Sequence, residues 1–548
     1  MSRTAATPAL AVATLLVLAA GGCSATPHYT PPSSTYYVSP SGDDDNAGTS
    51  PDEAWRSLAH AERTGLDAGD KLLLRGGAVF SGPITVGEGE AGSADEPVVI
   101  GSYGGGRATV AVTGGPGVSV HNTAGVEIHD LDVTGKGGSY LRDGGINLYS
   151  DLSDGRKLDR VTVSDVDISG FRAGIAVGGG DGSTGFKDVQ VSGAKLHDNK
   201  DVGLLVYGPD FDAGRPTYAH QNLRIKGVES HHNVGDPKTT KTHSGNGIVL
   251  GSVRDATVRD SIAHDNGNRS SPEAPAGPVG IWAYDSTQVL LEHNTAFRNH
   301  TGTDVDGAGF GLDSNVSSST IQYNLAFDND GPGYYVYTNK KNGAHRNNTI
   351  RYNIATDNGR KLPVSGALAI HGKDIRNLAI YQNTLVMTDS PNGPGPAVRL
   401  RDGQTGVSLR NNILVTEGAP VVTSEAALEP ADIVLQGNNY FTPTGSLTID
   451  WANRSYPDLA AWRTATDQER VDGRTTGLSV DPCFAGGDLP DIRSAADAPL
   501  VVPDCTALAG KGLDLQALFG TDPGTVDYFG RTTGTPPPVG AAVPSPPE

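Results

Sequence analysis

A polar residue that recurs at a near-constant interval is the strongest constraint on this chain. It closes the stretches Leu291-Glu292-His293-Asn294, Ile321-Gln322-Tyr323-Asn324, Ile350-Arg351-Tyr352-Asn353, Ile380-Tyr381-Gln382-Asn383 and Leu409-Arg410-Asn411-Asn412, with a looser copy at Leu435 to Asn439. Successive Asn are 30, 29, 30, 29 and 27 residues apart. Earlier copies lack the Asn and centre on Val163, Val191, Ile225 and Val258. A second signal, Gly-apolar-any-apolar, lies in the same repeats, as in Gly174-Ile175-Ala176-Val177, Gly247-Ile248-Val249-Leu250 and Gly280-Ile281-Trp282-Ala283. Period-2 alternation marks short strands with one buried face. Nothing between the signals is long and periodic enough for a crossover helix, which excludes a doubly wound α/β fold. Short strands at a fixed long period stack in parallel as a solenoid. An Asn at one place in successive coils can bond to its neighbours about 4.8 Å above and below. That role is structural, and it satisfies a buried turn. Many coils continue with a pair such as Asp198-Asn199, His232-Asn233, Asp265-Asn266, Asp328-Asn329 or Asp357-Asn358.

Composition agrees with many turns around a thin core: 548 residues include 73 Gly and 35 Pro but only 2 Met and 6% aromatics. The formal charge of −20 argues against a nucleic-acid partner, which needs a basic face. It also gives no general attraction for an acidic polysaccharide.

With these coils in view, the chain resembles the right-handed parallel β-helix proteins related to pectate lyases, polygalacturonases and alginate-modifying enzymes, over about residues 36–530. The opening Tyr36-Tyr37-Val38-Ser39-Pro40-Ser41-Gly42, then Asn46-Ala47-Gly48-Thr49 and Trp55, is similar to the start of such secreted chains, as is Gly69-Asp70-Lys71-Leu72-Leu73-Leu74. The resemblance implies an all-β, right-handed parallel β-helix. A right-handed crossover is also the general preference. Signatures of particular families are missing. There is no WxDH and no DPHD stretch. Arg224-Ile225-Lys226 precedes His371-Gly372 instead of following it, which makes its likeness to the polygalacturonase motif a coincidence.

The ends divide as follows. Residues 1–22 read as a signal peptide, with Arg3 ahead of the apolar run 9–20. Ala20-Gly21-Gly22-Cys23 resembles a bacterial lipobox, although Ala20 stands where Leu is usual. The resemblance implies lipidation at Cys23 and an outward-facing membrane anchor; plain secretion is the alternative. Residues 23–35 form a Pro/Ser/Thr-rich tether. An N-terminal cap with the first coils covers 36–95, including a short amphipathic helix over 51–64 with Ala54, Leu58 and Ala61 on one face. The regular helix covers 96–445. A C-terminal cap covers 446–530, with a helix at 456–467. The Pro-rich tail 531–548 is expected to be disordered. Cys483 and Cys505 remain as a pair, either bridged or as two buried thiols. Asp43-Asp44-Asp45-Asn46 could hold Ca²⁺ or form a solvated turn. No metal site is otherwise expected, and a monomer is.

Chemistry must sit on outward residues and inserted loops. Aligning the Gly-led strands gives one outward column of Ala176, Leu205, Val249, Trp282, Gly311, Tyr335, Ala369 and Arg399. A second runs Gly178, Tyr207, Gly251, Tyr284, Asp313, Tyr337, His371 and Arg401. Trp282, Tyr284, Tyr335 and Tyr337 could stack on sugar rings, and Lys373, Arg399 and Arg401 could engage hydroxyls or carboxylates. Long loops at 208–221, 234–246, 267–279 and 300–308 suggest a cleft wall that brings Lys241, His243, His300, Asp304 and Asp306 near Asp313. Hydrolysis needs two carboxyl groups, for which Asp306 and Asp313 are the candidates, with Asp304 and Asp285 in reserve. Uronate lyase or epimerase chemistry needs a base and cations, which His371, Lys373, Arg399 and Arg401 could supply. The expectation is a surface protein that cleaves or modifies a polysaccharide. The rivals are a glycan-binding protein without catalysis and an adhesion solenoid.

Overall fold

The computed structural model describes residues 33–136 and 141–545. They form a parallel β-solenoid of about 13 turns, built from sheets of 14, 14 and 13 strands. Each regular coil carries three strands, one more than the two signals suggest. In one coil these are Thr349–Arg351 in the first sheet, Ile354–Thr356 in the second and Leu368–Gly372 in the third. The extra strand is only three residues long, too short for alternation to reveal it.

Two corners separate these strands, and both use one device. A residue in the left-handed region is followed by Asn: Tyr352 (φ 51°) before Asn353, and Asp357 (φ 53°) before Asn358. The Asn side chain then satisfies the backbone that the turn leaves unpaired. In the first ladder Asn294, Asn324, Asn353, Asn383 and Asn412 each donate through Nδ2 to Oδ1 of the next Asn, at 2.8–3.1 Å. The sixth member is Asn438, which accepts from Asn412 at 2.8 Å. Asn439, one residue on, bonds instead to the Val480 backbone. Spacing could not choose between adjacent Asn. The Asp-Asn pairs build a second ladder through Asn199, Asn233, Asn266, Asn299, Asn329 and Asn358. The first ladder ends on buried Glu469, whose carboxyl accepts from Asn438, Tyr440 and Thr476 side chains and from the Gly437 and Asn438 N–H groups.

The core is built of inward columns from all three sheets: Val289, Leu291, Ile321 and Ile350 from the first, Ala296, Ala326 and Ala355 from the second, Ile281, Phe310 and Tyr334 from the third. Small Ala on the second sheet leaves room for the larger side chains opposite. At the N-terminal end a helix forms only over Leu58–Thr64, capped by Ser57, while Pro51–Glu53 is a separate 3₁₀ turn. The continuous helix expected over 51–64 is therefore split, because Trp55 turns inward to stack on Tyr36. Ala54, Leu58 and Ala61 are buried as expected. At the other end Leu459–Thr466 is helical and buries Trp462 against Trp451 and Tyr440. The coil period runs slightly past 445, since Ile449–Trp451 still pairs in parallel with Val422–Ser424 before a hairpin ends the sheet.

The tail departs from expectation. Val539, Ala541 and Ala542 are fully buried, and the N–H groups of Gly540 and Ala541 bond to Asn411 O and Thr384 Oγ1. The reason lies on the outer face of the second sheet. There Leu325, Phe327, Ile354, Val386, Ile413 and Val415 point away from the core, and the C-terminal segment covers them. Covering apolar area at about 25 cal/mol per Å² outweighs the tail's preference for disorder. Cys483 and Cys505 are bonded within this cover, with Cα atoms 5.7 Å apart. Residues 1–32, which hold the expected signal peptide, Cys23 and most of the expected tether, lie outside the described residues.

Candidate active site

The third sheet carries the outward columns in the register that the spacing predicts. Ala176 pairs with Leu205, Leu205 with Val249, Val249 with Trp282, Trp282 with Gly311, Gly311 with Tyr335, Tyr335 with Ala369 and Ala369 with Arg399. These outward side chains form an apolar cluster of their own, separate from the core. Glycine decides how the tyrosines lie. A Cβ on Gly178, Gly251 or Gly311 would run into the ring of Tyr207, Tyr284 or Tyr335 respectively. Each outward Gly thus lets the next coil's aromatic lean back over it.

The inserted loops wall a groove of about 890 Å³ over this cluster, reaching from Arg172 and Asp201 at one end to Asp313 and Lys340 at the other. Trp282 is only 6% exposed and Tyr335 2%. Tyr335 therefore cannot offer a ring face to a sugar, as the sequence suggested. Leaning over Gly311, it points its hydroxyl at Asp313 Oδ2, 3.4 Å away. Tyr284, Tyr207 and Tyr337 are more open.

Asp313 lines one end of the groove, and Asp306, which does not line it, lies close enough for the charge of Asp313 to act on it. Asp306 sits in the left-handed region (φ 59°) at the end of the 300–308 loop, and its Oδ2 accepts from the Gly277 N–H at 2.8 Å. Asp313 ends the strand Ala308–Leu312, and its carboxyl accepts from the Ser314 N–H and the Tyr335 hydroxyl. Both keep some contact with solvent but are surrounded by protein. Burial pushes Asp306 up to about 7, and the neighbouring Asp313 adds to the rise. Burial likewise pushes Asp313 up to about 6, with hydrogen bonds from Ser314 and Tyr335 opposing and Asp285 assisting. Asp285 is also raised by burial and accepts from Asn315 Nδ2 at 2.6 Å.

The other candidates are elsewhere. His300 pairs with Asp330 at 3.3 Å, and Asp304 is exposed on its loop. His371 lies two coils beyond Asp313, with its ring centroid 5.0 Å from that of Tyr337 and tilted to it, and there burial and then Arg401 and Arg399 lower it to about 4. Arg399 pairs with Glu425 at 3.4 Å and lines a separate hollow of about 510 Å³. Lys373 and Arg401 are exposed. The structure therefore separates the hydrolytic set from the cationic set. In the Asp43-Asn46 turn, Asp43 pairs with Arg56, and Asp44 accepts from Arg56 and Ser57 N–H groups and the Ser57 hydroxyl. Among the described residues no group of three or more potential metal ligands converges.

Sequence reasoning missed several groove residues. Arg172 and Asp201 form an ion pair at 2.9 Å between consecutive coils. Asn315 and Lys340 lie in loops without a period and gave no signal, whereas Asn246 begins the strand Asn246–Gly251 in register with Val202.

The family described as a right-handed β-helix region matches residues 116–414, more than half of the chain. A lacto-N-biosidase from Bifidobacterium longum subsp. longum is 26% identical over 447 residues, covering 63% of this chain and 27% of that protein. The chain thus spans about a quarter of that relative's length. The crystal structure of a GH136 lacto-N-biosidase from Eubacterium ramulus superposes with a TM-score of 0.52 at 18% identity, covering 66% of this chain and 65% of that one. That likeness is one of fold. Pectate lyase Pel9A superposes with a TM-score of 0.45 at 14% identity, over 93% and 96% of the two chains.

Proposed function

The chain belongs to the right-handed β-helix family, and from that premise we propose that it is a carbohydrate-active enzyme, a glycoside hydrolase whose acid–base pair is Asp306 and Asp313. One observation carries this reading: a carboxyl group lining a walled groove and a second one within reach of its charge are both held well above the ordinary value of 3.8. Hydrolysis needs one carboxyl protonated and one ionised near neutral pH. Asp306, the higher of the two, donates its proton to the glycosidic oxygen. Asp313 is the better-stabilised anion, through Ser314 and Tyr335, and serves as nucleophile or base. Tyr284 and Tyr337 offer ring surface beside it. The lacto-N-biosidase relative supports carbohydrate as the substrate class.

The substrate is an oligo- or polysaccharide, and the protein acts as a monomer. The test is incubation with plant, algal and microbial glycans. New reducing ends without ultraviolet absorbance from an unsaturated sugar are expected. Unsaturated product would transfer the chemistry to the His371 region as a lyase, and binding without product would leave a glycan-binding protein. We also propose export with a lipid on Cys23. Cys23→Ser should then release the protein from the membrane fraction, and unchanged partitioning would refute the anchor.

A further inference from the structure

Asn246 lies at the wall of the groove and is only 3% exposed. Its Oδ1 accepts two hydrogen bonds, from the Val279 N–H at 3.1 Å and from the indole Nε1–H of Trp282 at 3.1 Å. A backbone N–H and an indole N–H can only donate. The two together therefore fix which end of the Asn246 amide is oxygen. The other end, Nδ2, can only donate, and it faces Nδ1 of His243 at 3.1 Å. His243 Nδ1 must then be the acceptor, which requires the proton of the neutral ring to sit on Nε2. The ring packs edge-on to Trp282 with centroids 5.4 Å apart, and it lines the same groove as Asp313. Burial holds it at about 4, so it stays neutral at physiological pH. Among the described residues no protein group bonds to Nε2, the remaining polar atom of a ring whose tautomer is already set.

We propose that His243 is a substrate-binding residue, donating from Nε2–H to a neutral oxygen of the bound sugar, with Asn246 as the positioning residue that fixes its tautomer. The substrate class rests on the hydrolase reading above; the tautomer does not. A fixed neutral donor beside an aromatic floor selects an uncharged acceptor oxygen, a role a protonated imidazole or a freely flipping ring would fill less selectively.

Two measurements test this. Nitrogen-15 correlation spectra of histidine-labelled protein should show His243 as the Nε2–H tautomer at neutral pH. Asn246→Asp keeps the two accepted bonds but removes the donor, and should move the proton to Nδ1. A wild-type ring that is charged or carries its proton on Nδ1 overturns the proposal. The second measurement is glycan binding in an Asp313→Asn background. There His243→Phe keeps the ring on Trp282 but should weaken binding about tenfold, the value of one lost hydrogen bond. His243→Gln, which can still donate, should recover most of that loss. Turnover and binding indifferent to His243→Phe remove this inference and leave the hydrolase standing. Glycan binding that depends on His243 without turnover by the wild type removes the hydrolase and leaves the inference.

Discussion

At the scale of single residues, the carboxyl pair sets both catalysis and cost. Activity should require Asp313 ionised and Asp306 protonated. The rate is therefore expected to fall below about pH 6 and above about pH 7, giving a narrow bell whose limbs belong to the coupled pair. A kcat/KM profile across pH 4–9 checks this, and a flat profile would contradict the assignment. Asp313→Asn should lower kcat by about 10²–10⁴-fold. The same substitution should stabilise the fold. A carboxyl raised on folding binds more protons in the native than in the unfolded state, so stability drops as pH climbs from near 4 towards 6–7. Above that window Asp313→Asn is expected to melt higher than the wild type, and at pH 4 the two should coincide. Gly311→Ala should also impair turnover, because the new methyl displaces Tyr335 from Asp313.

Among elements, the asparagine ladders carry the corners. Asn353 accepts from the Asn324 N–H and Nδ2 and donates to Asn383, Ile321 and Arg351. Asn353→Ala leaves the buried Asn324 N–H without its partner and removes the amide that bridges Ile321, Arg351 and Asn383, and should cost about 2–4 kcal/mol. Denaturant unfolding would measure it, with exposed Asn268→Ala, expected within about 0.5 kcal/mol of the wild type, as the reference. This layer was largely legible in the sequence, because a buried amide must recur wherever its turn recurs. What spacing could not resolve was Asn438 against Asn439, or that the Asp-Asn pairs make a second ladder. The groove was legible to a lesser degree. Its floor inherits the coil period, which is why Trp282, Tyr335 and Asp313 fall into readable columns. Its wall comes from insertions such as the one that ends at Asn246, where no repeat constrains His243; Asn246 itself begins a strand in register with Val202. Exposure of aromatic rings was not legible either, since Tyr335 is buried by leaning over Gly311 into the outward apolar cluster, a packing that only the tertiary structure reveals.

For the whole molecule, the C-terminal segment closes a face that the solenoid itself leaves apolar. Tyr323 and Tyr381 hydroxyls bond to Val526 and Asp522 carbonyls, and Arg410 lies 3.7 Å over the Phe519 ring. Beyond the reach of this cover the outward stack changes chemistry. Phe327 and Phe297 give way to His264, His231 and His197, with ring spacings of 4.7–5.1 Å throughout. Truncation after Gly510 should leave the coils folded but expose Leu325, Ile354, Ile413 and their neighbours. Dye binding and self-association on size-exclusion chromatography are the expected outcomes; a monodisperse, dye-silent product would show the cover to be dispensable.

Each amide in a ladder bonds only one rung away, so the ladder is indifferent to the number of rungs. Unequal crossover between any two of the Asn codons adds or deletes a whole turn with its hydrogen bonding intact. Only Glu469, which ends the series, has no equivalent elsewhere in it. Groove length is then a heritable quantity that changes in steps of one strand spacing, about 4.8 Å, without a new fold having to evolve.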